Sequence, residues 1–260
     1  MPQSDCTTEP ANAIINPHTF KFTINPARTV CGVNQAANVI LVSLVEVSPT
    51  AVKERQQIRE TWGNSSLFKL TRTVFLLGLS KNETINKLIV EESKIYKDIV
   101  QEDFLDSYKN LTIKTIMGFK WVSEYCSNAK FVLKTDDDAV INTAVVERYL
   151  QTVPDKNLYM GYYLYTPPVI RNKFSKFYVS ESEYNASHFN SYQIGVGYYV
   201  SLDLARKFFE MSLYTSLFKF EDVYVGMLAK KLNIKGKQIA KLYSMNNVKS
   251  QNKSSLHHKS

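Results

Sequence analysis

Three adjacent carboxylates, Asp136, Asp137 and Asp138, are the residues whose type and spacing most directly suggest chemistry. Neighbouring carboxylates repel one another, and a hard divalent cation, which prefers oxygen ligands, is the usual reason for keeping them together. In an extended segment, residues 136 and 138 point the same way while residue 137 points opposite. We therefore expect Asp136 and Asp138 to hold a metal that neutralises a diphosphate. A solvated acidic turn is the alternative that this pattern leaves open.

Two further pairs of charged residues fall on predicted helices. Glu221 and Asp222 begin one helix, where acidic residues favour the helix dipole, but a carboxylate there is also a suitable general base for a hydroxyl group. Arg55 and Arg59 lie one turn apart on another helix and share a face, which suits phosphate oxygens. Capping for the acids and a solvated face for the arginines are the structural alternatives.

Alternating apolar and amphipathic segments predict the elements that must position these groups. Strands are predicted at residues 38–45, 73–77, 98–100 and 130–135, and helices between them from residue 48 to 62, 85 to 95 and 111 to 125. Further strands are predicted at 158–162, 177–180 and 195–200, with helices at 201–211 and 221–232. Repeated β–α units predict an α/β fold with a mostly parallel central sheet flanked by helices, whose ligands bind beyond the carboxyl ends of the strands.

The length of 260 residues suits one α/β domain, and the hydrophobic content of 44% is too high for a disordered chain. We expect a lead-in or stem segment at residues 1–35, the folded domain at 36–240 and a basic, disordered tail at 241–260. No run approaches the roughly 18 consecutive apolar residues of a membrane span, and no signal peptide is visible.

The formal net charge of +8 lies at the end of the chain. Every charged residue after Asp222 is a lysine, and these lysines alone account for the excess. The preceding residues are balanced, so we expect no nucleic-acid partner.

Cysteines and glycosylation sequons bear on the cellular compartment. Three cysteines, Cys6, Cys31 and Cys126, show no metal-ligand spacing, and their odd number permits at most one disulfide. N-x-S/T sequons exceed chance slightly, which is a hint of a secretory protein. The sequons begin at Asn64, Asn82, Asn110, Asn185 and Asn252.

Several motifs occur in a characteristic order between about residues 20 and 235. They are residues 22–26 with Cys31, then 55–63, 75–78, 98–112, 126–131, 134–138, 195–198 with Ser201, and 221–226. Each motif is weak alone, but the ordered set resembles glycosyltransferase family 31, the β1,3-galactosyl- and β1,3-N-acetylglucosaminyltransferases. Residues 189–193 and Leu228 depart from the family pattern, and a lysine-rich tail replaces its usual C-terminal segment.

The resemblance implies a GT-A-type, Rossmann-like catalytic domain and an inverting reaction that forms a β1,3 linkage. The donor would be UDP-galactose or UDP-N-acetylglucosamine, the cofactor Mn²⁺, and the acceptor a glycan on a glycoprotein or glycolipid. Family members are Golgi type II membrane proteins, so an anchor is expected in the full-length protein although none is seen in this chain. An inactive relative that binds UDP-sugar or glycan without transfer is the alternative, motivated by the unusual C-terminus.

The resemblance also implies roles for individual residues. Asp136 and Asp138 would engage the metal together with the donor's diphosphate and ribose, and Asp222 would be the catalytic base. Arg55 and Arg59 would face the donor. The other candidate positions are Asp137 and Lys114 on the donor side and Glu221 and Trp121 on the acceptor side, with packing in the core as the alternative for Trp121.

Overall fold

Eight strands form one mixed sheet in the computed structural model, which describes residues 13–32 and 38–239. The strands are β1 (Phe22–Ile24), β2 (Leu41–Glu46), β3 (Thr71–Leu79), β4 (Ile99–Leu105), β5 (Phe131–Asp136), β6 (Tyr159–Leu164), β7 (Tyr192–Ser201) and β8 (Lys237–Gln238). Their spatial order is β1-β4-β3-β2-β5-β7-β6-β8. The run β4-β3-β2-β5 is parallel, whereas β7 lies antiparallel to both β5 and β6.

Helices cover both faces of this sheet. They are α1 (Ala27–Val30), α2 (Val52–Glu60), α3 (Glu83–Tyr96), α4 (Leu111–Tyr125), α5 (Thr143–Leu150), α6 (Leu202–Ser212) and α7 (Glu221–Lys231). One apolar cluster joins α4, α6 and α7 to one face, and a second joins α2, α3 and α5 to the other. Buried side chains of the central strands therefore point alternately into one core or the other, because successive residues alternate across a sheet.

The predicted α/β, GT-A-type class is confirmed, with parallel strands at the centre and helices on both sides. The prediction of a strand at 177–180 is wrong. That segment belongs to the long connection between β6 and β7, where the Val179 amide donates to the Ile170 carbonyl at 3.0 Å. The short helix α5 was not predicted; the Asn142 side chain caps it by accepting a bond from the Val145 amide at 3.2 Å.

The described part of the predicted lead-in segment is attached to the domain. Strand β1 pairs with β4 at the edge of the sheet, and a disulfide joins Cys31 to Cys126 after α4. Upstream, the Ile15 and Asn16 amides both donate to the Leu213 carbonyl. The boundary predicted at residue 36 therefore does not separate this segment from the domain.

Some predicted features lie outside the described residues, namely Cys6, the Asn252 sequon and the tail at 241–260. Among the residues that are described, no helix is both long enough and apolar enough to span a bilayer.

Candidate active site

Strands β2 and β5 place charged residues side by side at their carboxyl ends. In the parallel register, Leu44 pairs with Lys134 and Glu46 pairs with Asp136. Registered neighbours share a face of the sheet, so Glu46, Lys134 and Asp136 all point toward the side covered by α4 and α7.

The ammonium of Lys134 lies at the centre of this group. Its Nζ is 2.5 Å from Glu221 Oε1, 3.0 Å from Asp136 Oδ1 and 3.0 Å from Glu46 Oε2. The lysine side chain is only 1% exposed. Burial alone would lower the pKa of Lys134, but the three carboxylates raise it well above its ordinary value. We call Lys134, Glu46, Asp136 and Glu221 the Lys134 cluster.

Two of the cluster's carboxylates are buried and also bonded to hydroxyl groups. Thr115 Oγ1 donates to Glu46 Oε1 at 2.5 Å, and the Tyr198 hydroxyl donates to Glu221 Oε2 at 3.4 Å. Burial raises the pKa of both glutamates, while the charge of Lys134 opposes that rise. The ammonium is therefore what makes so much negative charge tolerable in this part of the core.

Asp222 follows Glu221 at the start of α7 and is held by backbone amides. Its Oδ2 accepts from the Gly195 amide at 3.2 Å, and its Oδ1 accepts from the Val223 amide at 2.8 Å. Burial raises the pKa of Asp222 above the ordinary aspartate value, against the opposing effects of the Val223 bond and Lys134. A Cβ at position 195 would lie 2.6 Å from Glu221 Oε1, so a larger residue there would have to displace the carboxylate that Lys134 holds.

The structure thus brings together residues that are far apart in the sequence. Asp136 at the end of β5 and Glu221 at the start of α7 contact the same ammonium, and Asp222 is bonded to Gly195, whose carbonyl also accepts from Lys134 at 3.2 Å. A carboxylate suited to a metal and a carboxylate suited to a base therefore border one region of the molecule.

The expected alternation of the three aspartates is corrected, because β5 ends at Asp136. The next residues form a turn, with the Ala139 amide donating to the Asp136 carbonyl at 3.3 Å. Asp137 and Asp138 both line a cavity of about 610 Å³ beside α2, together with Trp62. Burial raises the pKa of Asp137, and the neighbouring carboxylates of Asp138 and Asp136 raise it further.

The carboxylates fit a hard cation that is completed by a ligand. Within residues 13–32 and 38–239, no three His, Cys, Asp or Glu side chains are grouped as a full metal site. Asp136 is 40% exposed and has one oxygen on Lys134, which leaves the other available, and Asp138 is exposed. Mg²⁺-like cations are commonly held by one or two carboxylates together with substrate phosphates, which suits this arrangement.

The donor-side prediction for Arg55 and Arg59 is corrected by their partners. Arg55 is fully buried and donates to both Glu92 oxygens, at 2.8 and 2.6 Å, and to the Ser48 carbonyl at 3.0 Å. Arg59 forms a two-pronged pair with Asp98 at 2.7 and 2.8 Å. The shared face of these arginines is turned toward α3 and the start of β4, so their guanidinium groups are already satisfied there.

Two residues of α4 also have structural partners. Lys114 is buried, and its Nζ donates to the Val47 carbonyl at 2.8 Å and to Asp106 Oδ1 at 3.0 Å, which ties together the segments that follow β2 and β4. Trp121 has no exposed surface, and its Nε1 donates to Asn25 Oδ1 at 2.8 Å. The acceptor-side prediction for Trp121 is therefore wrong, because a glycan could not reach the ring.

The described sequons differ in their surroundings. Asn82 and Asn185 are exposed, and Asn64 is half-buried in a turn where its Oδ1 accepts from the Ser66 amide at 2.9 Å. Asn110 Nδ2 donates to the Leu105 carbonyl at 2.8 Å. Its sequon partner Thr112 is buried.

Sequence reasoning missed Lys134 and Glu46 as site residues. The available signal was a charged residue inside each of two apolar strands, at positions that the parallel pairing sets side by side. Tyr108, just before α4, is 65% exposed. Burial of the rest of its side chain, followed by the charges of Asp222 and Asp136, raises its pKa.

Comparison with known proteins gives consistent results. The family model described as Galactosyltransferase matches residues 53–240. Beta-1,3-galactosyltransferase 1 of Mus musculus and of Homo sapiens is 41% identical over 225 residues, which is 85% of this chain and 68% of the relative. Beta-1,3-galactosyltransferase 2 of Homo sapiens is 39% identical over 227 residues, which is 84% of this chain and 53% of the relative.

A solved structure of 4-diphosphocytidyl-2C-methyl-D-erythritol synthase from Anaerococcus prevotii aligns with a TM-score of 0.46 at 14% identity. The alignment covers 84% of this chain and 96% of that one. The family model matches most of the chain, and the chain is 41% identical to a relative of which it covers 68%. Both findings agree with the resemblance to glycosyltransferase family 31, and this chain belongs to the galactosyltransferase family.

Proposed function

We propose that this protein transfers galactose from UDP-galactose to a glycan hydroxyl, with inversion and formation of a β1,3 linkage. The names of its relatives favour galactose over N-acetylglucosamine as the donor sugar. The observation that supports the proposal most strongly is the pair of contacts from Lys134 to Asp136 and Glu221, because they unite the donor and acceptor ends of such a reaction.

In this proposal Asp222 is the base that removes the proton of the acceptor hydroxyl. As the hydroxyl oxygen forms a bond to the anomeric carbon, the bond from that carbon to the UDP oxygen breaks, and UDP leaves with the electron pair. The raised pKa of Asp222, caused mainly by burial, suits this role because a more basic carboxylate accepts a proton more readily. One displacement inverts the anomeric centre, so no covalent nucleophile is required.

Asp136 and Asp138 would hold the divalent cation, which we propose is Mn²⁺. When bound, the metal would neutralise the negative charge that develops on the leaving diphosphate. Asp137 lines the cavity beside α2 and is proposed to remain on the donor side. Glu221 supports the acceptor side indirectly, since its carboxylate is occupied by Lys134 and Tyr198.

We further propose that the protein works in the Golgi lumen on glycans of glycoproteins or glycolipids. The Cys31–Cys126 disulfide supports an oxidising compartment, in which such bonds persist. Exposed sequons at Asn82 and Asn185 are consistent with passage through the secretory pathway.

The test is UDP release from UDP-galactose or UDP-N-acetylglucosamine with Mn²⁺ and a panel of glycan acceptors. We expect release with UDP-galactose, its loss on addition of EDTA, and a loss of about 10²-fold or more for Asp222→Asn. The matched control is Asp203→Asn, which alters an aspartate in the first turn of α6 and should leave the rate unchanged. If UDP and Mn²⁺ raise the melting temperature without turnover on any acceptor, the protein is instead a binding relative.

A further inference from the structure

A single buried lysine balances carboxylates that come from three elements of the fold. Glu46 belongs to β2, Asp136 to β5 and Glu221 to α7, and all three lie within 3.0 Å of Lys134 Nζ. The three donors of the ammonium go to Asp136, Glu221 and the Gly195 carbonyl, and Glu46 contacts it as an ion pair only, so every contact constrains where the others can be. Their geometry is therefore a property of the cluster as a whole.

The same lysine reaches the base through one glycine. Lys134 Nζ donates to the Gly195 carbonyl at 3.2 Å, and the Gly195 amide donates to Asp222 Oδ2 at 3.2 Å. Lys134 is also bonded to Glu221, the chain neighbour of Asp222. Two short routes thus connect the ammonium to the Asp222 carboxylate, while a third contact holds Asp136 directly.

We propose that Lys134 is a positioning residue that fixes the separation between Asp136 on the donor side and Asp222 on the acceptor side. The inference rests on the proposed transferase function, because these two carboxylates serve the leaving diphosphate and the attacking hydroxyl there. In this role Lys134 contacts neither the diphosphate nor the hydroxyl, and it acts on them only through the two aspartates. A misplacement of about 1 Å between reacting groups can cost 10²-fold in rate, so such a lysine has a large effect on turnover.

The competing explanation is that Lys134 only neutralises buried acids so that the chain can fold. Two variants separate the explanations. Lys134→Met removes the ammonium and leaves buried acids unpaired, so it loses stability under either explanation. Lys134→Met combined with Glu46→Gln removes one positive and one negative charge and keeps an acceptor for Thr115, so the net charge of the buried group is preserved.

The matched control is Lys120→Met, which alters a lysine paired with Glu102 and the Phe20 carbonyl near the β1 edge of the sheet. It should lower the melting temperature without changing the rate for each folded molecule. Hydrogen exchange in the protein without ligands gives a readout that is independent of turnover. The peptides to follow are those that contain Gly195 and the first turn of α7.

For the double variant at positions 134 and 46, we expect a folded protein with a lower melting temperature than wild type, because Asp136 and Glu221 lose their cation. We expect its kcat to fall by about 10²-fold with little change in the KM for UDP-galactose, since geometry rather than donor binding is altered. Exchange around Gly195 and the start of α7 should be about tenfold faster, which reflects local opening. Lys120→Met should change neither kcat nor the exchange of these two peptides.

A double variant that keeps kcat within about threefold and wild-type exchange at both peptides would overturn the positioning role. Failure of the proposed function is a different result: the wild-type protein would release no UDP on any acceptor. In that case the exchange measurement still decides the inference, because faster exchange at these two peptides supports it and wild-type exchange contradicts it.

Discussion

At the scale of single residues, Asp222 combines basicity with a fixed orientation. Two backbone amides hold its oxygens, and its carboxylate is partly buried at the start of α7. The charged or titratable groups near it include Glu221 on its own helix, Lys134 and Asp136 on β5, Tyr159 on β6, Tyr192 and Tyr198 on β7, and Tyr108 before α4. Only Lys134 among these opposes the rise in the pKa of Asp222.

This environment predicts a pH dependence. A base must be unprotonated to act, so activity should fall as pH drops through the raised pKa of Asp222. The acid limb of kcat/KM should therefore have its midpoint above the ordinary aspartate pKa of 3.8. The measurement is kcat/KM for UDP release over about pH 4 to 8, within the range where the fold is intact. A profile that stays flat to the acid end would argue against Asp222 as the base.

How far the sequence predicted this site also depends on individual residues. Asp136 and Asp222 could be proposed because a strand end and a helix start are local features with local signals. Lys134 and Glu46 could not, because their meaning depends on the pairing of β2 with β5, which a single sequence does not specify. Arg55 and Arg59 illustrate the opposite error: their spacing predicted a binding face, but Arg55 is satisfied by Glu92 on α3 and Arg59 by Asp98 before β4.

At the scale of elements, α4 is the helix that connects the lead-in segment to the site. Its buried face carries Trp121, which is bonded to Asn25, and Lys114, which ties the segments after β2 and β4. Gly118 allows α4 to approach the sheet, because a side chain there would meet Leu76 Cδ1 at 2.7 Å. Displacement of α4 would therefore disturb both the lead-in segment and the loops that follow β2 and β4.

The position of Trp121 predicts a variant that affects stability without affecting chemistry. Trp121→Phe removes the bond to Asn25 Oδ1, leaves that oxygen without this partner and reduces the packed volume, so it should lower the free energy of unfolding by about 1–3 kcal/mol. The KM for the acceptor should not change, since the ring has no exposed surface. Denaturant unfolding and acceptor titrations measure the two effects. A raised acceptor KM with unchanged stability would restore the sugar-contacting role.

The elements themselves were predictable where the hydrophobic pattern was long. The parallel strands β2, β3 and β5 and the helices α3, α4, α6 and α7 overlap the predicted segments, with ends that differ by up to a few residues, because each buries a continuous apolar face. The false strand at 177–180 has aromatic and β-branched residues without a neighbouring strand to pair with. Strand β1 was missed because its three residues are too few to show a period.

At the scale of the whole molecule, one covalent bond closes a large part of the chain. Cys31 and Cys126 are separated by 95 residues, and the bond attaches the lead-in segment to the end of α4. Closing a loop of this length restricts the unfolded chain and should contribute about 2–5 kcal/mol to stability. Replacing both cysteines by serine should therefore lower the melting temperature, as should reduction of the wild-type protein. Equal melting temperatures for oxidised and reduced protein would contradict the bond.

The surface predicts which sequons carry glycans when the protein is secreted by animal cells. Asn82 and Asn185 are exposed and should be occupied. Asn110 should be largely unoccupied, because its side-chain nitrogen is turned toward the Leu105 carbonyl, to which it donates, and the hydroxyl of its sequon partner Thr112 is bonded to the Phe218 carbonyl. Mass spectrometry of glycopeptides measures occupancy, with Asn82→Gln and Asn185→Gln as controls. Full occupancy at Asn110 would contradict this prediction, because it would show that the Asn110 and Thr112 side chains are accessible despite these bonds.

The most direct measurement is a crystal structure of the protein with UDP and Mn²⁺. We expect the metal between the diphosphate and the carboxylates of Asp136 and Asp138, with Asp222 on the opposite side of the space that the sugar would occupy and Lys134 still bonded to Asp136 and Glu221. UDP bound away from the carboxyl end of β5, or a metal held by other residues, would contradict the proposal that the end of β5 and the start of α7 form one transferase site.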